Sequence, residues 1–171
     1  MDWFVPGGEV SDTMKKTRFI TEAAIIAALY AVLTIINPLS WGQVQVRISE
    51  ALTVLPFFTP AAIPGLFVGA MVSNIFGGYG FIDIIFGGLA TLLAAFVSWK
   101  MPKKLLVPLP PVIINAIYVA VMLKITSGLP LLVTMGFVAI GEAVACYVLG
   151  YPLLLLLDKQ KHRIFGRAQN L

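Results

Sequence analysis

Cysteine, histidine and charge are all scarce in this chain, and each shortage closes off a class of function. Its 171 residues include one cysteine and one histidine. Cys146 stands alone inside an apolar run, which excludes an internal disulfide and a cysteine metal cluster. His162 sits in a basic tail, so neither a catalytic histidine nor a histidine metal site is expected. Only 12% of the residues are charged against 59% apolar, and the mean hydropathy is +0.94. Those proportions exclude an ordinary soluble globule and fit a one-domain, polytopic helical membrane protein. There is no Walker A sequence for ATP hydrolysis, and no His-Glu-x-x-His or Gly-x-Ser-x-Gly for proteolysis. Nor is there a dense carboxylate set for a divalent-metal transferase. No catalytic residue, metal or cofactor is therefore expected. A small polytopic chain without an energy module reads as a binding or translocating subunit. Residues 1–14 hold no apolar run followed by a small-residue cleavage site, so no signal peptide is expected.

What is present falls into six apolar spans, at 19–36, 44–59, 61–77, 82–101, 105–126 and 131–157. The first stops at Asn37-Pro38, since proline disfavours helix in the residue before it. The second and third are at or below the roughly 17-residue minimum for a full crossing. They carry Pro56, Pro60 and Pro64, and read as a tight, partly broken helical pair or as one long re-entrant element. Interrupted spans of this kind line binding cavities, because only there does irregular backbone find partners. Ten of the twelve basic residues gather at one set of span ends: Lys15, Lys16 and Arg18, then Lys100, Lys103 and Lys104, then Lys159, Lys161, Arg163 and Arg167. Arg47 and Lys124 are left on the other side. The positive-inside rule then predicts an all-α protein of six transmembrane helices with both termini cytoplasmic. Trp99 beside Lys100 fits an interfacial anchor. The net charge of +4 follows from this topology and does not call for nucleic acid. Residues 1–14 read as a flexible arm, 15–160 as the transmembrane domain and 161–171 as a basic cytoplasmic tail.

Small residues recur at four-residue spacing, which places them on one helical face. Span three has Gly65, Gly69, Ser73 and Gly77, and span four has Gly87, Thr91 and Ala95; both suit packing within the bundle. Span one carries two parallel stripes, Ala23, Ala27 and Ala31 beside Ala24 and Ala28. Together they are wider than one seam requires, and they read as internal packing or as a docking face for another membrane subunit.

The polar groups at membrane depth are few. Each ionised side chain there costs about 2.5–3.5 kcal/mol on insertion scales, so each needs a reason. Arg47 and Glu50 stand three residues apart, flanked by Gln43, Gln45 and Ser49. If span two is helical they share a face, either as an ion pair or with Arg47 orienting the carboxylate for a ligand. Glu142 has no base within helical reach and is the strongest single candidate, the alternative being a hydrogen bond to Asn115 or a tyrosine. Asp83 either lines the site or caps span four. Asn74 and Asn115 are polar contacts or interhelical glue. Trp41, Tyr79 and Tyr118 offer aromatic surface. In the six-span topology most of these fall in the outer half, and such convergence marks a pocket.

The run Val46-Arg47-Ile48-Ser49-Glu50-Ala51-Leu52, then Leu55-Pro56 and the Pro60 to Gly69 stretch, resembles the queuosine-precursor transporter family. These are substrate-binding S components of energy-coupling factor (ECF) transporters. The likeness covers about Lys16 to Asp158. It implies a six-helix S-component fold with a site near the extracytoplasmic side, lidded by the loop after span one. It also implies partners: a transmembrane coupling protein and two cytoplasmic ATPases. The implied substrate is a deazaguanine queuosine precursor, the aminomethyl form foremost. A carboxylate accepts the paired N–H donors of such a ring, and a cationic aminomethyl group wants a second carboxylate or an aromatic face. Glu50 and Glu142 are the expected carboxylates, with Arg47 holding Glu50 or the ring carbonyl. Asn74, Asp83 and Asn115 rank after them, and Trp41, Tyr79 or Tyr118 would stack on the ring. Rival readings are an S component for another vitamin or aromatic amine, an intramembrane enzyme using Glu142 and Asp83, and a purely structural membrane subunit.

Overall fold

The computed structural model describes the backbone of residues 7–41 and 45–164, all of it helix, turn or loop. Helix α1 (Gly7–Ile35) leads through a 3₁₀ turn at Pro38–Ser40 to a ten-residue 3₁₀ helix, Ile48–Phe57. Helix α2 (Ala62–Gly77) follows, then α3 (Gly88–Trp99), entered through a π-helical turn at Asp83–Gly87. Helix α4 (Leu109–Ser127) comes next. The last span is continuous, with α5 (Leu131–Ala143) joined to α6 (Tyr151–Ile164) by a π-helical stretch at Val144–Gly150. These make the six expected helical spans. Three stretches, Asp12–Ile35, Lys104–Ser127 and Leu131–Lys161, are long and apolar enough to cross a membrane. Ile48–Phe57, Ala62–Gly77 and Asp83–Trp99 are shorter apolar helices.

Two expectations change here. Much of the expected N-terminal arm is the start of α1, because no proline between Pro6 and Pro38 stops the helix; residues 1–6 lie outside the described residues. At the other end α6 continues to Ile164, and the rest of the expected basic tail is likewise outside them. The second span is helical, but as 3₁₀ rather than α. Runs of that length are uncommon. Pro56 lies within it and has no N–H to donate. Ten residues at about 2.0 Å each reach about 20 Å, where an α-helix would reach about 15 Å. The tighter winding thus gives a short, proline-bearing segment the depth it otherwise lacks.

This 3₁₀ helix is the hub. It touches α1, α2, α3, α6 and the π stretch, and buries Ser49, Glu50, Ala51, Thr53, Val54 and Pro56. Around it α1 packs on α2 through a small-residue seam. A side chain at Gly65 would lie 2.7 Å from the Ala23 carbonyl oxygen, and one at Gly69 2.8 Å from that of Ala27. The Ala23, Ala27 and Ala31 stripe is therefore taken up by α2 inside the bundle. The docking expectation narrows to Ala24 and Ala28, which are exposed beside Ile20, Ile25 and Leu29.

Charge ties the other end together. Arg18 pairs with Glu22 at 2.8 Å, Glu22 accepts from Thr59 at 3.0 Å, and Lys104 meets Asp158 at 2.6 Å. Lys100 lies over the Phe96 ring. Between the ends, exposed Val68, Phe76, Leu93, Ile117, Ile140 and Val148 give the bundle an apolar exterior, suited to lipid.

Candidate functional site

The half of the bundle opposite the basic end holds a buried polar network. Arg47, Glu50, Asn74, Asp83, Asn115 and Glu142 are each at most 6% exposed. Backbone irregularity delivers several of them. Glu50 stands in the first turn of the 3₁₀ helix, Asp83 opens one π turn, and Glu142 lies two residues before the start of the other π stretch, which carries Cys146. Such interruptions are frequent at functional sites, because they turn side chains away from the regular 3.6-residue spacing.

Glu50 and Glu142 come together. One oxygen of each, with the Cys146 sulfur, lies within 4.8 Å of the others. Tyr30 donates its hydroxyl to Glu50 Oε1, while Glu50 Oε2 is buried with no partner. The Asn115 side chain interacts with both carboxylates. Cys146 Sγ is 3.7 Å from the Glu50 backbone oxygen and 4.0 Å from Glu142 Oε2. Gln45, whose backbone rests on Gly141 next to Glu142, has its side chain fully buried with neither amide atom bonded.

A second group forms between α2, α3 and α4. Tyr118 donates to Asp83 Oδ1 at 2.9 Å and Asn74 Nδ2 to the Asp83 carbonyl at 3.0 Å. Asp83 is thus a tie between helices rather than a helix cap. Its Oδ2 and Asn74 Oδ1 are buried and unpartnered. The groups converge over Gly87, where a Cβ would press on Asn74 Nδ2 and lie 3.2 Å from Asp83 Oδ1.

The loop after α1 closes over this half. Asn37 Nδ2 donates to the Val46 carbonyl and Val46 N to that of Leu39. The Trp41 ring lies on Gly77, where a Cβ would sit 3.0 Å from Trp41 Cε3. Residues 42–44, including Gln43 and the expected start of span two, lie outside the described residues. On the far side the backbone of Gln45 rests directly on Gly141 of α5.

The expected Arg47–Glu50 ion pair is not among those of the described residues, which join Arg18 to Glu22 and Lys104 and Lys161 to Asp158. Arg47 precedes the 3₁₀ helix with extended backbone, φ −85° and ψ 105°, so it does not share the helical face of Glu50. Its Nε donates to the Ser40 carbonyl at 3.2 Å, and its guanidinium lies 5.4 Å from the Trp41 ring centre. From there its field reaches Glu50, Glu142 and Asp83. Tyr79 is half-buried against the apolar cluster of α4 and α5 that includes Val119 and Val138.

Tyr30, Thr34, Gln45 and Cys146 are the members that sequence reasoning did not place. A signal existed for three of them. Tyr30 and Thr34 follow Ala23 and Ala27 on the inward face of α1, and Cys146 stands one turn after Glu142. Thr34 Oγ1 hydrogen-bonds Ser49 at 2.6 Å, fixing α1 to the 3₁₀ helix beside Glu50.

Residues 20–159 match the family described as QueT transporter. The chain belongs to the QueT transporter family. A curated member, "Queuosine precursor transporter QueT" of Lactococcus lactis subsp. cremoris (strain MG1363), is 30% identical over 166 residues, spanning 87% of this chain and 95% of the relative. No solved structure matches. QueT proteins are a membrane transporter family rather than an enzyme family, and the multi-span helical bundle accords with that. The polar network, built around Glu50 and Glu142, falls within the matched region.

Proposed function

We infer that this chain is the substrate-binding S component of an ATP-driven ECF importer, taking up a deazaguanine queuosine precursor from the extracellular side. One observation carries the substrate chemistry: among the described residues, the buried half holds three carboxylates, Glu50, Asp83 and Glu142, against the single cation Arg47. Carboxylates in a low-dielectric interior repel one another and cost several kcal/mol each unless paired. A ligand that brings N–H donors and positive charge removes that cost. An aminomethyl-deazaguanine has both, with adjacent N–H donors on its guanine-like edge and a cationic substituent. Glu50 Oε2 and Glu142 accept from the edge, with Asn115 holding the two carboxylates in register. The Gln45 amide, unpaired in the structure, has the N–H for the ring carbonyl and an acceptor beside it. Trp41, steadied by Arg47, covers the flat face.

The membrane logic supports the rest of the reading. With the basic ends of α1, α3, α4 and α6 cytoplasmic, the network opens outward. The chain has no ATP-binding motif, so energy comes from elsewhere. The exposed Ala24 and Ala28 stripe is suited to a transmembrane coupling protein, itself linked to two cytoplasmic ATPases. The test is titration of the purified protein with aminomethyl-deazaguanine, alongside mass spectrometry of any copurifying small molecule. Glu142→Gln is expected to lower affinity at least about tenfold, the scale of one charge-assisted hydrogen bond. Equal affinities for the two proteins remove Glu142 from the site, and no binding of any deazaguanine removes the substrate reading altogether.

A further inference from the structure

We propose that Asp83, with Asn74 and Tyr118, forms a separate ammonium subsite that selects deazaguanines bearing a cationic substituent over neutral ones. The proposal rests on the deazaguanine reading above and adds which group tells one precursor from another.

The argument begins with the donor and acceptor balance of this group. Tyr118 spends its proton on Asp83 Oδ1, and Asn74 spends one amide proton on the Asp83 carbonyl. What remains is Asp83 Oδ2 and Asn74 Oδ1, both buried and unpartnered, together with the free lone pair of the Tyr118 oxygen. These are acceptors, and they outnumber the one Asn74 amide N–H that is left. The side chains that hold them are at most 2% exposed for Asp83 and Asn74, so water does not readily meet the demand. An ammonium group is the complementary ligand, with three donors and no acceptor. A nitrile brings only an acceptor lone pair against the same oxygens, and a hydroxyl brings a single donor and no charge.

A purely structural tie between α3 and α4 would not need this arrangement. One carboxylate oxygen suffices for Tyr118, and leaving the other buried and unpaired costs about 1–3 kcal/mol or more for a charged group. The local backbone also favours approach. The π turn at Asp83–Gly87 brings Gly87 against Asn74, Asp83 and Tyr118, where a Cβ would lie 3.2 Å from Asp83 Oδ1 and 3.3 Å from the Tyr118 ring.

The subsite is also linked through one helix to the edge-reading carboxylates. Asn115, which interacts with Glu50 and Glu142, and Tyr118, which holds Asp83, are three residues apart on α4. That is about 4.5 Å along the helix. A fused bicyclic ring set between the two groups meets one with its N–H edge and the other with its side chain. Arg47 acts on both groups electrostatically, so a cation at Asp83 and a donor edge at Glu50 together match the excess of negative charge.

The experiment compares three ligands of one scaffold by calorimetric titration of the purified full chain: aminomethyl-, hydroxymethyl- and cyano-deazaguanine. The wild type is expected to prefer the amine over the two neutral ligands by at least about tenfold. Asp83→Asn is expected to cut that ratio to near unity, with a larger loss for the amine than for either neutral ligand. Asn74→Ala is the second variant, expected to narrow the ratio by about threefold, the scale of one neutral hydrogen bond; it decides the matter if Asp83→Asn does not fold. A ratio unchanged in a folded variant overturns the subsite, as does a wild type without preference. Failure of every deazaguanine to bind instead overturns the substrate reading beneath it.

Discussion

Gly141 offers the sharpest test of how the site is held together. It lies in α5 one residue before Glu142, and the Gln45 backbone rests on it so closely that an added Cβ would fall on the Gln45 carbonyl oxygen and 2.8 Å from its carbon. Non-bonded carbons rest about 3.5–4.0 Å apart, so Gly141→Ala forces the two backbones apart by about 1 Å. The neighbour is main chain on both sides, and no flexible side chain can yield. The displaced segment, residues 45–47, carries the Gln45 amide and the Arg47 guanidinium, while the helix it leaves carries Glu142. Overpacking of this kind costs about 1–3 kcal/mol in stability, and the altered spacing should cost at least about tenfold in ligand affinity. Gly136→Ala, in the same helix, is the internal control, because a Cβ there meets nothing within 4 Å. Alanine at that position is expected to be neutral or stabilising by about 0.5–1 kcal/mol, as for a helical glycine with open space around its Cβ. Thermal unfolding in detergent and ligand titration of both variants supply the readouts. If Gly141→Ala melts and binds like Gly136→Ala, the loop does not rest on α5 and the assembled site is wrong.

Two further outcomes follow from the same geometry. Tyr30→Phe removes the hydroxyl that donates to Glu50 and leaves a buried carboxylate with one partner fewer; a stability loss of about 1–3 kcal/mol is expected, read by thermal unfolding, and an unchanged midpoint would contradict the bond. Ala24→Leu with Ala28→Leu enlarges the exposed stripe of α1 without touching the Ala23–Ala27 seam. Copurification of the coupling subunit should be lost while ligand affinity stays at the wild-type value, and undiminished copurification would show that the partner docks elsewhere.

The spans were legible because hydropathy, proline and clustered lysine leave marks in sequence. Pro56, Pro60 and Pro64 marked the second span as unusual, yet the 3₁₀ winding that resolves its short length depends on packing against five neighbours and has no sequence signature. The deep carboxylates were legible for the same reason that makes them costly. Their partners were harder to see. The ion-pair reading of Arg47 and Glu50 rests on an i, i+3 argument that needs helix at both residues, and the extended backbone at Arg47 sends its side chain to Trp41 and Ser40 instead. Tyr30 carries no mark of its own in an alanine-rich helix, although the spacing that marks the alanine face also puts Tyr30 and Thr34 on it. The π turns at Asp83 and after Glu142 were invisible, since nothing local distinguishes them from α-helix.

The lone cysteine has a practical consequence. Cys146 is fully buried beneath Glu50 and Glu142, and it is the only thiol in the chain. A small maleimide that reacts with it has to pass those two carboxylates, along the route proposed above for the ligand. Labelling speed in intact membranes is therefore a clock for how often that route opens, and protection by bound ligand turns the native sequence into its own occupancy sensor.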